Sequence, residues 1–291
     1  MSKKSYTLAW PSIDLPHGLM ADARLAPHVL VRTAAFSTLD YSGAARRPTF
    51  TEPTILATMA PFHVAQTAGS RLSQSDAEIF FWLLGRAYRH GAPVGNADVY
   101  FKRAEALEAM GRRRGGKSDR LIGESLHRLS SARFNCNSIG IGSQNDVQLL
   151  SSVIRHSSLE KPYDYKVTLP RSAAALLDAN EWVVMQADVR IELVDDPLAL
   201  SLHAFYSSHR SAYPMLPGTL KMLMGRESMQ ESKWRHALCK ALMRVQSVTG
   251  WWQCELVKEG MYAGKVEVKK GTGHRRPTPK RPRLRRRPSI G

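Results

Sequence analysis

Cysteine is scarce. The 291-residue chain has three, Cys136, Cys239 and Cys254, odd in number and far apart. No Cys-x-x-Cys pair forms, so neither a zinc site nor a disulfide framework is expected, and buried free thiols in a reducing cytoplasm are. The ten histidines include no His-x-His or His-Glu-x-x-His spacing, which leaves metal-dependent nicking or hydrolysis without ligands. No Gly-x-Ser-x-Gly elbow is present, so the acyl-transfer chemistry it supports is not expected. No apolar run approaches a membrane span, and no signal-peptide core follows the basic first residues. Acid is also short, with 25 Asp and Glu against 42 Lys and Arg, for a formal charge of +17.

Ten of those cations lie between Lys269 and the C-terminus, where there is no acid; taking those ten from +17 leaves +7 for the rest. The body is therefore basic in its own right, which points to a polyanionic partner. An acidic membrane surface fits less well, because no helix pairs a basic face with a Trp/Phe/Leu face in the way interfacial anchors do.

Two stretches, residues 99–150 and 217–268, repeat one order of elements: a short helix, a glycine-bearing turn, a longer basic helix and a β-hairpin. That order is the helix-turn-helix with a wing, which carries a helix into the major groove of duplex DNA. The expected fold class is α+β, with two tandem winged-helix units at residues 72–169 and 170–270. An irregular, partly extended N-terminal arm (1–71) precedes them, its prolines at 11, 16, 27, 48, 53 and 61 preventing long helices. A disordered basic tail (271–291), rich in arginine and proline, follows.

Within this frame, Ser75 to Glu78 has capping-box spacing ahead of an apolar stripe ending at Gly91. Helices are expected over 101–110 and 118–131. Strands are expected over 133–141 and 147–156, joined by a turn at Gly142 to Asp146, and over 163–169. The second unit is expected to open with a helix over 171–180 and a strand over 183–191. A helix capped by Asp195 and Asp196 then reaches His209. Helices at 219–224 and 232–247 follow, with a hairpin of 251–257 and 262–268 whose first tryptophans, Trp251 or Trp252, sit in the core.

The basic helices carry the candidate DNA-binding residues. On a helical wheel of 118–131, Leu121, Ile122, Ser125, Leu126 and Leu129 face inward. Arg120 lies opposite, near the N-terminus that usually meets base edges. Arg112, Arg113, Arg114 and Lys117 occupy the preceding turn, where they would grip phosphates. Glu124 and His127 read as a solvated face. In the second helix, Trp234, Ala237, Leu238, Ala241, Leu242 and Val245 form the apolar back. Ser232, Lys233, His236, Lys240 and Met243 point away, flanked by Arg235 and Arg244. No catalytic, cofactor or metal residue is expected.

Gly111 to Ser118 satisfies the Walker A pattern G-x-x-x-x-G-K-[ST] letter for letter. A P-loop needs a strand just before its first glycine. Residues 103–110 read as an amphipathic helix, and no strand–helix alternation builds a parallel sheet, so the match is discounted.

The chain resembles plasmid replication initiators of the TrfA and RepC kind. The matching stretches are residues 27–37 (PHVLVRTAAFS), 72–91 (LSQSDAEIFFWLLGRAYRHG), and Gly116-Lys117-Ser118 followed by residues 124–129. Residues 189–268 are similar to the second winged helix of RepC-type proteins. The resemblance covers about residues 27–268. It implies a non-catalytic, cytoplasmic protein that binds repeated origin sites (iterons) in double-stranded DNA. Such a protein helps open an adjacent AT-rich segment and engages host or plasmid initiator and helicase proteins, with a homodimer among its states. Rival expectations are a winged-helix transcriptional repressor, a P-loop NTPase using Lys117, and a single-strand or RNA binder, the last disfavoured because most aromatics sit on apolar faces.

Overall fold

The computed structural model describes residues 23–41, 46–89, 95–113, 115–156 and 162–271, excluding the side chains of Lys117 and Ala179. At its centre lies the helix Gln74–Ala87, in which nearly every residue from Gln74 to Gly85 is buried. Two hydrophobic cores form around it. The first gathers Leu25, Val29, Phe36, Phe80, Trp82, Phe101, Leu126, Leu129 and Phe134. The second gathers Leu198, Phe205, Leu220, Trp234, Leu238, Leu242, Cys254 and Val266.

The stretch expected as an irregular arm is built into the first core. Strand Arg24–Pro27 pairs antiparallel with Trp182–Met185, and Phe36–Ser37 runs parallel to Leu72–Ser73. Strand His63–Ser70 lies beside Arg133–Ser138, which pairs in turn with Gly142–Gln148, so the first hairpin continues a larger sheet. A second sheet orders Ser152–Arg155, Tyr165–Leu169 and Ala97–Phe101.

Several local expectations shift. The capping pair of the central helix is Ser73 with Asp76, two residues earlier than expected: the Ser73 amide donates to the Asp76 carboxylate at 2.8 Å and its hydroxyl at 2.9 Å. Glu78 is instead turned inward to meet arginines. The first hairpin turns at residues 139–141, and Gly142–Gln148, expected to begin as a turn, is strand. Asp146 absorbs the irregularity at φ +52°, its amide donating to Asn135 at 3.0 Å. The expected strand 147–156 breaks in two because its halves join different sheets. The expected strand 183–191 ends at Met185 and becomes the helix Ala187–Glu192, which delivers Arg190 to buried Glu78. The helix at 171–180 is shorter, Arg171–Ala175, followed by a 3-10 turn at Asp178–Asn180. Asp196 caps Pro197–Ser207 as expected, accepting from the Ala199 amide at 3.0 Å.

The cores are joined by buried polar chemistry. Glu78 accepts from Arg190 Nε at 3.1 Å and again from its terminal nitrogen, and lies 3.9 Å from Arg24 Nε. Arg24 and Arg190 have no exposed surface and Glu78 is 3 % exposed. Arg190 also donates to the Leu200 carbonyl at 2.6 Å and lies 3.3 Å from His203 Nδ1. One network thus ties the N-terminal strand, the central helix and the helix preceding the second core.

Candidate nucleic-acid interface

Each half presents a short helix, a glycine turn, a long helix and a hairpin. In the first half these are Arg103–Ala109, Gly111, Gly116–Ser131 and the pair Arg133–Ser138 with Gly142–Gln148. In the second they are Pro217–Leu223, Gly225, Glu231–Thr249 and the pair Gln253–Leu256 with Val266–Lys269. Both turn glycines are left-handed, Gly111 at φ +62° and Gly225 at φ +66°. A β-carbon there would be strained. It would also meet the opposite half: 2.6 Å from the Ile191 side chain at Gly111, and 3.0 Å from the Ser37 hydroxyl at Gly225.

The second long helix separates as its sequence indicates. Trp234, Leu238, Ala241, Leu242 and Val245 are buried, and Trp234 Nε1 donates to the Pro217 carbonyl at 2.9 Å, locking the two helices together. Ser232, Lys233, Arg235, His236, Lys240 and Arg244 are exposed. Two of these cations are already engaged. Arg235 pairs with Glu231 at 3.2 Å, and Arg244 donates to the Glu192 carbonyl at 2.6 Å. Arg244 therefore sits at the helix flank and positions it, while Lys233, His236 and Lys240 stand on the open face. The amphipathic period made this face legible; Glu231, one turn before Arg235, signalled its ion pair.

The first long helix is less cationic. Its exposed positions include Arg120, Glu124 and His127. Arg128 turns inward to Asp76 at 2.8 Å, and Arg103 holds Asp119 at 3.3 Å. Arg113 is exposed, whereas Arg112 is half-buried and lines a cleft of about 450 Å³ shared with Arg47, Arg128, Asp195 and Arg226. Arg114 and the side chain of Lys117 lie outside the described residues. The structure thus brings Ser232, Lys233, Arg235, His236 and Lys240 to one helix face. Arg112 is separated from Arg113 and Arg120 by its place in the cleft.

The segment before Gly111 is helical, so the strand a P-loop requires does not precede this motif. Among the described residues, no group of three or more His, Cys, Asp or Glu is placed to hold a metal. No helix there is long and apolar enough to cross a membrane.

Sequence reasoning missed two kinds of residue. Lys258 and Lys265 bracket the loop of the second hairpin, where Val257 and Gly264 close a hydrogen-bonded turn at 2.9 Å. Their charges were visible in the sequence. The turn of the first hairpin, residues 139–141, carries no charge. The second kind is positional: Thr38 accepts from Arg226 Nε at 2.7 Å and donates to the Met224 carbonyl at 2.9 Å, pinning the turn of the second unit to the N-terminal segment. That contact spans 186 residues, so no local signal announced it. The tryptophans divide: Trp251 stacks on buried His203 at 5.6 Å, while Trp252 is 73 % exposed.

Comparison with known proteins yields fold likeness. No family model and no curated protein matches this chain. Two crystal structures of domains 2 and 3 of RctB do match in fold. One aligns with a TM-score of 0.56 and 11 % identity over 84 % of this chain and 98 % of that one. The other aligns with a TM-score of 0.51 and 12 % identity over 77 % and 89 %. This chain shares a mixed helix-and-strand architecture with domains 2 and 3 of RctB.

Proposed function

We propose that this chain is a sequence-specific duplex-DNA-binding protein of the replication-initiator kind, built on tandem winged-helix units. It binds repeated origin sites of a plasmid, favours opening of the neighbouring segment and brings initiator or helicase proteins to it, acting as a cytoplasmic, DNA-associated protein by binding energy rather than catalysis. The observation that carries the reading is the Glu231–Thr249 helix. Its apolar back is packed into the second core while Ser232, Lys233, His236 and Lys240 stand exposed on the opposite face. A helix held by its back and cationic on its front is what the major groove accepts. The fold held in common with RctB domains 2 and 3 supports the initiator reading at a coarse level.

In this reading Lys233 and His236, near the helix start, meet base edges, and Lys240 meets phosphate. Arg113 and Arg120 of the first unit supply a second, smaller contact. The direct test is footprinting on DNA flanking the gene, where evenly spaced protected repeats are the expected result. Lys233→Ala should relax sequence choice by about 1–3 kcal/mol. Lys240→Ala should weaken all sequences alike and lower the salt slope by about 0.9. Protection without repeats, or unchanged binding by both variants, removes the assignment. Replication of an origin-only plasmid with the protein supplied in trans distinguishes initiation from promoter silencing.

A further inference from the structure

The second hairpin has two faces. Cys254, Val266 and Val268 are buried in the second core with Trp234 and Leu238, so the long cationic helix packs on that side. By strand alternation, Gln253, Glu255, Glu267 and Lys269 face the other way. The segment at residues 210–214 runs along the edge of the hairpin's second strand, joined by the Met215–Val266 bridge. Between them lies a groove of about 390 Å³, lined by Arg210, Tyr213, Pro214, Tyr262 and Lys269.

Its side chains are unusual for a protein surface. Tyr213 is 79 % exposed and Tyr262 is 37 % exposed. Trp252 lies alongside, its ring 5.4 Å from the Lys269 ammonium. The one acid in the groove, Glu267, is held by Lys269 at 2.9 Å. Lys270 caps the helix Pro197–Ser207, donating to the Tyr206 carbonyl at 3.1 Å, and so fixes where the chain leaves the groove. The next twenty residues hold eight Lys or Arg and no acid.

We propose that this groove is a second nucleic-acid site, for a single strand, distinct from the duplex-reading helix. Duplex DNA keeps its base faces stacked on each other, so exposed rings gain little from it. An unstacked strand offers a π-face at every base and phosphates between, and ring-plus-cation surfaces take it without sequence choice. The groove has room for bases to stack on Tyr213 or Tyr262, with Arg210 and Lys269 at the backbone. The assignment does not depend on the proposed origin function.

The test uses the full chain and fluorescence anisotropy with labelled oligothymidylate, a duplex of equal length, and polyglutamate as competitor. Tyr213→Ala with Tyr262→Ala should weaken oligothymidylate binding about 5- to 100-fold and leave duplex binding unchanged. Tyr213→Phe should retain binding. Lys233→Ala with Lys240→Ala should do the reverse of the tyrosine pair, which separates this site from the duplex surface. Both tyrosines are exposed, so an unaltered thermal melt is expected of the variants. Undiminished oligothymidylate binding, an equal loss on duplex, or tyrosines needed for polyglutamate but not for oligothymidylate overturns the proposal.

Discussion

Replacing Glu78 with glutamine tests how the two cores are held together. Glu78 is 3 % exposed and stands between two arginines with no exposed surface, Arg24 and Arg190. The amide retains an oxygen for Arg190 but removes the charge that pairs with its guanidinium. Breaking a buried ion pair by removing one partner costs about 3–5 kcal/mol, because it leaves uncompensated charge away from water. The Leu200 carbonyl that Arg190 also meets is neutral and cannot replace it. The expected outcome is a fall in urea midpoint equivalent to about 3–5 kcal/mol. Two probes should shift together: Trp82 of the first core, and Trp234 of the second, which report through fluorescence of single-tryptophan variants. Replacing all three charges by leucine or methionine should cost far less, since apolar substitutes need no neutralising partner. A Glu78→Gln loss below about 1 kcal/mol, the size of an ordinary hydrogen bond, or a shift confined to one core, would refute the idea that this network couples the halves.

Three further outcomes are expected. Gly225→Ala forces a β-carbon into a left-handed turn against Ser37 and Arg71, and should cost about 1–2 kcal/mol in backbone strain alone, read as a lowered urea midpoint. Burial depresses the imidazoles of His28, His203 and His209, the last to about 4, with Arg190 adding to the effect at His203 and Arg32 at His28 and His209. The folded state then refuses protons that the unfolded chain accepts, so stability is full above pH 6.5 and should decline as pH falls from 6.5 to about 4. A flat urea midpoint across that window would contradict the burial of these rings. Burial pushes the thiols of Cys136 and Cys254 up to about 12, so iodoacetamide should alkylate Cys239 first in the native protein, as peptide mass mapping would show.

What was legible in the sequence was periodic. The back of Glu231–Thr249, the helix after the Gly111 turn, and the Asp196 cap all lie within a few residues of their determinants. The misplaced features share one cause, namely that a distant partner decided them. Residues 183–191 alternate apolar and polar well enough for a strand, yet Arg190 must reach Glu78, 112 positions earlier, and the chain turns helical to do so. Ser75 and Glu78 have the spacing of a cap, but Glu78 is wanted inside, so Ser73 and Asp76 take the role. Arg112 looked like its neighbours in a basic run, yet it lines a cleft whose other wall comes from residues 194–200. Charge count cannot tell a cation facing solvent from one facing a neighbouring element. Hydrophobicity likewise left open whether Trp251 or Trp252 packs inward: Trp251 stacks on His203 and Trp252 is exposed.

The coupling of the halves bears on how so unequal a pair of surfaces would act together. Among the described residues, Gly116–Ser131 exposes Arg120 beside Glu124, a weak anion-binding face taken alone. Gly111 is nevertheless approached closely by Ile191, and Gly225 by Ser37 and Arg71, so the turn between the two helices of each half is held from across the molecule. When two modules are held at a set distance, the orientational cost of docking is incurred once, and the second contact adds affinity that it would lack on its own. Under the proposed function, cutting that linkage should therefore weaken DNA binding through the first helix even though none of the residues proposed to face DNA has changed. Glu78→Gln supplies the cut. Duplex affinity should drop while the contribution of Lys240 to the salt slope stays as it was, because the phosphate contacts proposed for the second helix are left untouched. If the variant instead keeps full affinity and still loses stability, the network holds the fold together without joining the two surfaces, and the units bind independently.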